Sequence, residues 1–223
     1  ENDYISIIKE FHKISTITIP RSVVLPDHFD VQLHGFADAS TFAYDACVYI
    51  RCATPTGVFV NLLCSKSRVA PIKTTATIPR LELCANVLLA QLIHSVTSLL
   101  HLHFSRTFLW SDSTIALAWL RSPPDKYKLF VANRIAVIQE LTRVEDWNHI
   151  SSASNPADIR SRGATVQQLQ DNSLWFYGPT FLTSSFENWP HKQGEPNHHE
   201  QLPETKHHEQ LPETKHHEQL PET

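Results

Sequence analysis

The chain has 223 residues, 41% hydrophobic and 19% charged, with five glycines, fourteen prolines and no methionine. Its formal net charge of −4 lies wholly in the tail: residues 1–190 carry sixteen basic and sixteen acidic side chains, residues 191–223 three and seven. A neutral body excludes the simplest electrostatic case for nucleic-acid binding, a strongly basic domain, and leaves room for a local basic groove.

Without an initiator, the chain reads as an excised piece of something longer. No run of about 18 uninterrupted apolar residues marks a membrane span, and the N-terminus lacks the pattern of a signal peptide. The expectation is a soluble intracellular protein with no membrane partner. Cys47, Cys52, Cys64 and Cys84 lie in apolar segments with no CxxC and no histidine at zinc-finger spacing, which fits reduced, buried thiols.

Taken in chain order, residues 1–28 hold a short helical stretch, Tyr4 to Ile14, and then the Pro-bracketed TITIPRSVVLP, and they read as a connector. Three β-rich runs follow, DVQLHGFADAS, AYDACVYIRCAT and GVFVNLLCSKSRVA, separated by turn residues, which predicts an antiparallel meander. Pro79 opens RLELCANVLLAQLIHSVTSLLH, where Leu81, Cys84, Ala85, Leu88, Leu92, Val96 and Leu99 share one face of a helix. RTFLWSDS is a short strand, TIALAWLRS a helix ended by Pro123 and Pro124, and LFVANRIAVIQELTR another helix. VEDWNHIS reads as a strand, and NPADIRSRG as a last helix capped by Asn155 and begun at Pro156. The order β-β-β-α-β-α-α-β-α predicts an α/β domain over residues 29–165. Its mixed five-stranded sheet would have three antiparallel and two parallel strands, flanked by helices. Residues 166–190 form a C-terminal extension.

Four carboxylates lie at element ends among core-forming residues: Asp38 after HGFA, Glu82 in the first turn of the long helix, Asp112 ending LWSD, and Asp158 in NPAD. Each has an ordinary explanation, since the helix dipole favours acids in a first turn and aspartate suits a strand end. Together they say more. In the expected sheet the first and fourth strands lie side by side in parallel, and open α/β sheets bind ligands at such a point. Ionised carboxylates crowd together only around cations, and hard oxygen ligands select Mg²⁺ or Mn²⁺ over Zn²⁺. Two such ions are the usual apparatus for displacement at phosphorus, one activating water and the other stabilising the leaving 3′ oxygen.

The order Asp, Glu, Asp, Asp resembles ribonuclease H of the retroviral and retrotransposon kind. More narrowly, HGFADAS, LLCSKSRVAPIKT, TIPRLELCA, WSDSTIALAWL, FVANRIAVIQEL, NPADIRSRG and SLWFYGP resemble the region after the reverse transcriptase in Pol polyproteins of BEL/Pao-type LTR retrotransposons, over about residues 17–182. The resemblance implies an RNase H-like fold and a metal-dependent endonuclease that hydrolyses the RNA strand of RNA/DNA hybrids. It also implies two Mg²⁺ or Mn²⁺ ions on Asp38, Glu82, Asp112 and Asp158, and a mobile assisting histidine at His149. Reverse transcriptase and integrase modules would be partners, residues 166–190 would lead toward the integrase, and the location would be a cytoplasmic virus-like particle or the nucleus.

Proteins of this kind also carry a peptidase name. An aspartic peptidase needs Asp-Thr/Ser-Gly, whereas the candidates read Asp38-Ala39-Ser40 and Asp112-Ser113-Thr114. A catalytically inactive RNase H-like spacer or nucleic-acid-binding module is the other alternative. Two residues depart from the pattern. Asp45 stands where glycine is expected, where it would either strain a φ > 0 backbone or add a fifth carboxylate near the metals, and Arg160 replaces the usual Ala or Leu.

Lys66, Arg68 and Lys73 around the loop after the third strand, and Arg121, Lys126, Lys128 and Arg134 around the helix after the fourth, are candidate phosphate contacts, although lysines on a loop are commonly just solvated. The five tryptophans do not alternate with basic residues and suit core packing. The tail repeats HHEQLPETK twice in full and a third time without the lysine. With few apolar residues and a proline in every unit, it is predicted to be disordered, and its deletion to leave the melting temperature unchanged.

Overall fold

The computed structural model describes residues 13–15, 17–18, 22–71, 76–190 and 203–205, so most of the helix expected over Tyr4 to Ile14 falls outside the described residues. The three β-rich runs form a meander of β1 (Asp30–Ala39), β2 (Ala43–Thr54) and β3 (Gly57–Val69). Helix α1 (Ile78–Leu99) carries the chain back over the sheet, so that β4 (Arg106–Ser111) enters parallel to β1. After α2 (Thr114–Leu120) and α3 (Leu129–Leu141), β5 (Trp147–His149) pairs in parallel with β4. The strand order β3-β2-β1-β4-β5 is the expected mixed sheet.

Local details differ from the sequence reading. Val144–Asp146 is a 3₁₀ turn, leaving β5 only three residues. Helix α1 begins at Ile78, which puts Glu82 beyond the first turn, so the helix dipole does not explain an acid there. Helix α4 (Asp158–Arg162) starts after Pro156 and Ala157, and α5 (Val166–Gln170) and α6 (Ser173–Tyr177) follow it, so α4 is not the last helix.

The two faces of the sheet are covered differently. On one, α1 lays Leu83, Ala85, Leu88, Leu89 and Ile93 against Leu33, Ala37, Val48, Ile50 and Leu109. Gly35 makes the approach possible, because a Cβ there would stand 2.6 Å from Leu89 Cδ1. This apolar helix has the length and composition of a membrane span, yet half of it is buried in the domain. On the other face Phe36, Tyr49 and Trp110 pack with Trp175, Leu182 and Trp189 from residues 166–190. All five tryptophans are buried, and all four cysteines are free thiols.

The tail departs from the disorder expected of it at Pro203, Glu204 and Thr205. These three residues lie against α1, α2 and the start of α3, with Thr205 bridging Tyr127 in antiparallel fashion.

Candidate active site

The side chains of β1 alternate between the faces. Leu33 and Ala37 point toward α1, and Phe36 and Asp38 to the other side. Asp38 is therefore buried at the carboxyl end of the central strand. Asp112 follows β4, the parallel neighbour of β1, in which Ala37 and Ser111 are register partners. Asp158 opens α4, and Glu82 reaches the same end of the sheet from α1.

Each carboxylate is held by a protein donor. Ser161 Oγ donates to Asp38, and Ser113 Oγ to Glu82. Ser152 Oγ donates to Asp112 at 2.5 Å, with Asn155 Nδ2 at 3.5 Å, and Arg162 Nε reaches Asp158 at 2.7 Å. Asn155 ties the site together: its Nδ2 also donates to Ala37 O at 3.0 Å, and its Oδ1 accepts from Ala157 N at 3.2 Å. From the sequence Asn155 is expected only as a cap, and the serines are not expected as partners at all. The available signal was a hydroxyl close to an acid in both WSDS and NPADIRS.

Electrostatics make these groups one cluster. Burial pushes the Asp38 carboxyl up to about 7, the Ser161 hydrogen bond opposes that, and the charges of Asp112 and Asp158 raise it further. Burial also raises Glu82, against the pull of Ser113 and with the help of Asp112. Asp112 is thus felt by both. Among the described residues no lysine or arginine pairs with Asp38, Glu82 or Asp112. Such crowding of hard oxygen donors suits a divalent cation such as Mg²⁺. As the side chains stand, among the described residues no three His, Cys, Asp or Glu groups converge enough to hold one ion. Binding would require them to turn from their serine donors.

Asp45 resolves one alternative. It does not have a positive φ, since among the described residues only Asp27, Glu204 and glycines do. It sits within regular β2 as the cross-strand partner of Asp38, fully buried, and accepts from Ser67 Oγ. Opposite residues in an antiparallel pair share a face, so Asp45 is a fifth carboxylate beside the cluster. His149, half-buried at the end of β5, is the register partner of Ser111, next to Asp112.

The basic candidates divide. Lys66 and Arg68 are exposed at the end of β3 itself, paired with Ala46 and Tyr44 and so on the opposite face from Asp38, and Lys73 lies outside the described residues. Arg121, Lys126 and Lys128 are exposed between α2 and α3. Arg134 is committed to packing: its guanidinium stacks 3.5 Å from the Phe130 ring centroid, and its Nε donates to Cys84 Sγ at 3.2 Å.

A family model described as the Pao retrotransposon-like RNaseH-like domain matches residues 1–113, which include Asp38, Glu82 and Asp112, while His149 and Asp158 lie beyond the match. Among solved structures, the chain is similar to RNase H1 from the halophilic archaeon Halobacterium salinarum NRC-1. That structure is 16% identical over 57% of this chain and 90% of the other, with a TM-score of 0.36. The N-terminal RNase H domain of a Mycobacterium tuberculosis protein is 12% identical over 59% and 90%, with a TM-score of 0.41. LC11-RNase H1, solved in complex with an RNA/DNA hybrid, is 14% identical over 56% and 88%, with a TM-score of 0.37. No curated protein matches the chain.

Proposed function

The chain belongs to the Pao retrotransposon-like RNaseH-like domain family, and on that premise we propose that it is a metal-dependent endonuclease that cuts the RNA strand of RNA/DNA hybrids. The observation that carries this reading is the placement of Asp38, Asp112, Glu82 and Asp158 at one end of β1 and β4, where the charges of Asp112 and Asp158 raise Asp38 and that of Asp112 raises Glu82, and where among the described residues an arginine pairs only with Asp158. Asp38 and Asp112 would hold the ions, with Glu82 and Asp158 completing the set. Divalent cations held there would supply the positive charge for activating water and for stabilising the leaving 3′ oxygen. Of the protein groups, Asn155 anchors Asp112 to the β1 backbone, Ser161 and Ser113 hold Asp38 and Glu82 until an ion draws them away, and His149, register partner of Ser111, is the group nearest Asp112 on β5 to assist proton or product release. Exposed Arg121, Lys126 and Lys128 are the phosphate contacts this reading retains. The module would act within a retroelement polyprotein, beside reverse transcriptase and integrase, in a virus-like particle.

The peptidase reading gains nothing from the geometry. Asp38 lies in an uninterrupted strand paired to β2 and β4, and both aspartates hydrogen bond to other partners rather than to each other. The test is cleavage of a labelled RNA/DNA hybrid by the purified chain with Mg²⁺, with Mn²⁺ and with EDTA. Cleavage that EDTA abolishes and a pepstatin-like inhibitor leaves intact is expected. A chain inert with both ions would be a spacer or binding module instead.

A further inference from the structure

The slot that receives Pro203, Glu204 and Thr205 has the makings of a peptide-recognition site. Three kinds of contact converge on it. Trp119, a buried ring on α2, donates its indole N–H to Pro203 O at 2.9 Å. Lys128, at the start of α3, donates its backbone N–H to Glu204 O at 2.9 Å, and Tyr127 forms the bridge to Thr205. Arg80, in the first turn of α1, grips the Glu204 carboxylate with Nη2 at 2.8 Å and Nε at 3.1 Å. Its guanidinium also lies 4.8 Å from the Phe130 ring centroid, a contact that pre-orders it for the carboxylate.

Two details argue for recognition rather than casual contact. Glu204 has φ of +68°, a conformation that a residue with a side chain adopts at a cost and keeps only where contacts on both sides hold it. Its second carboxylate oxygen is buried without a hydrogen-bond partner among the described residues, where Arg80 is the cation that faces the charge. What the slot reads is therefore one acidic side chain between two outward-turned carbonyls.

Pro-Glu-Thr occurs three times in the tail, at residues 203–205, 212–214 and 221–223. We propose that the Arg80–Trp119–Lys128 slot is a docking site for this repeated tripeptide, and that the three copies are exchangeable occupants of it. Identical sequences carry identical contacts, so the copy nearest the domain is favoured only by its shorter tether, and an excess of peptide displaces it. The tail becomes a strap with two spare clasps.

The test uses the full chain and follows the indole N–H of Trp119 by ¹⁵N NMR, assigned with Trp119→Phe. Glu204→Ala alone should leave that resonance near its wild-type position, because Glu213 or Glu222 replaces it. The triple variant Glu204→Ala, Glu213→Ala, Glu222→Ala should shift it, and the nonapeptide HHEQLPETK added in trans should return it. Adding Arg80→Gln to the triple variant should abolish that return. An unmoved resonance in the triple variant would overturn docking. A full shift with Glu204→Ala alone would overturn exchange, as would failure of the nonapeptide to restore the position. Restoration despite Arg80→Gln would overturn recognition of the glutamate.

Discussion

The two ends of β1 each present an aspartate, and the company each keeps is opposite. At the amino end Asp30 accepts from Gln32 Nε2 at 2.8 Å and from Ser105 Oγ, and lies 3.6 Å from the Arg51 guanidinium. Arg51 is in turn fixed by donating to Leu182 O at 2.7 Å and by the Trp189 ring 5.5 Å away. At the carboxyl end Asp38 has one serine donor, a backbone hydrogen bond at Ala39, no cation among the described residues, and two neighbouring acids. One strand thus holds a charge-balanced carboxylate that secures the fold and a charge-frustrated one that the fold tolerates. Frustration of this kind is retained where something else completes the site, and under the proposed function that partner is a cation.

Substitution should separate the two ends cleanly. Asp38→Asn or Asp112→Asn should lower hybrid cleavage by on the order of a thousandfold, the loss of several kcal/mol of metal-borne stabilisation, with the fold intact. Asp30→Ala should leave cleavage nearly unchanged and cost about 1–2 kcal/mol in denaturant unfolding, because Arg51 loses its charge partner at a partly exposed site. If Asp30→Ala silenced cleavage as thoroughly as Asp38→Asn, the contrast would collapse.

Asp158→Asn should have an intermediate effect. Its carboxylate is already shared with Arg162, so activity should fall severalfold at limiting Mg²⁺ and recover in part with Mn²⁺, measured as rate against ion concentration. A variant equal to wild type at every concentration would reduce the site to three carboxylates.

The pH dependence of stability has a definite sign. Folding raises the Asp38 carboxyl from 3.8 to about 7, so the folded chain holds that proton more tightly. The resulting stabilisation is fully present below about pH 4 and is lost as pH rises through 7. Relative to wild type, Asp38→Asn should therefore melt progressively higher from pH 4 to pH 8. A constant difference across that range would mean that Asp38 is not burdened by burial and its neighbours. The smallest effect is expected from Asp45→Asn, which keeps an acceptor for Ser67 while removing a buried carboxyl group. Its melting temperature should rise by about 2 °C or less.

Much of this was legible in the sequence because it rests on local signals. The alternation in DVQLHGFADAS and the Pro-led period of α1 identify their elements, and connection length makes β4 parallel to β1. Asp38, Glu82, Asp112 and Asp158 were visible as acids among core residues. The donors were not, since a serine such as Ser161, 123 residues from Asp38, becomes a partner only through the fold. Arg134 looked like any surface cation until Phe130 and Cys84 claimed it. Nor does the repeat announce its contact, because Pro203 and Glu204 dock through backbone carbonyls and one carboxylate, which leave no apolar period.

Whether the Asp38 end of β1 is a cation site is tested, without requiring turnover, by calorimetric titration of Mg²⁺ into wild type and Asp38→Asn at pH 8. Wild type should bind Mg²⁺ and gain melting temperature with ion concentration, while the variant should lose most of both responses. Equal binding by the two proteins, or no binding by wild type, would contradict the account.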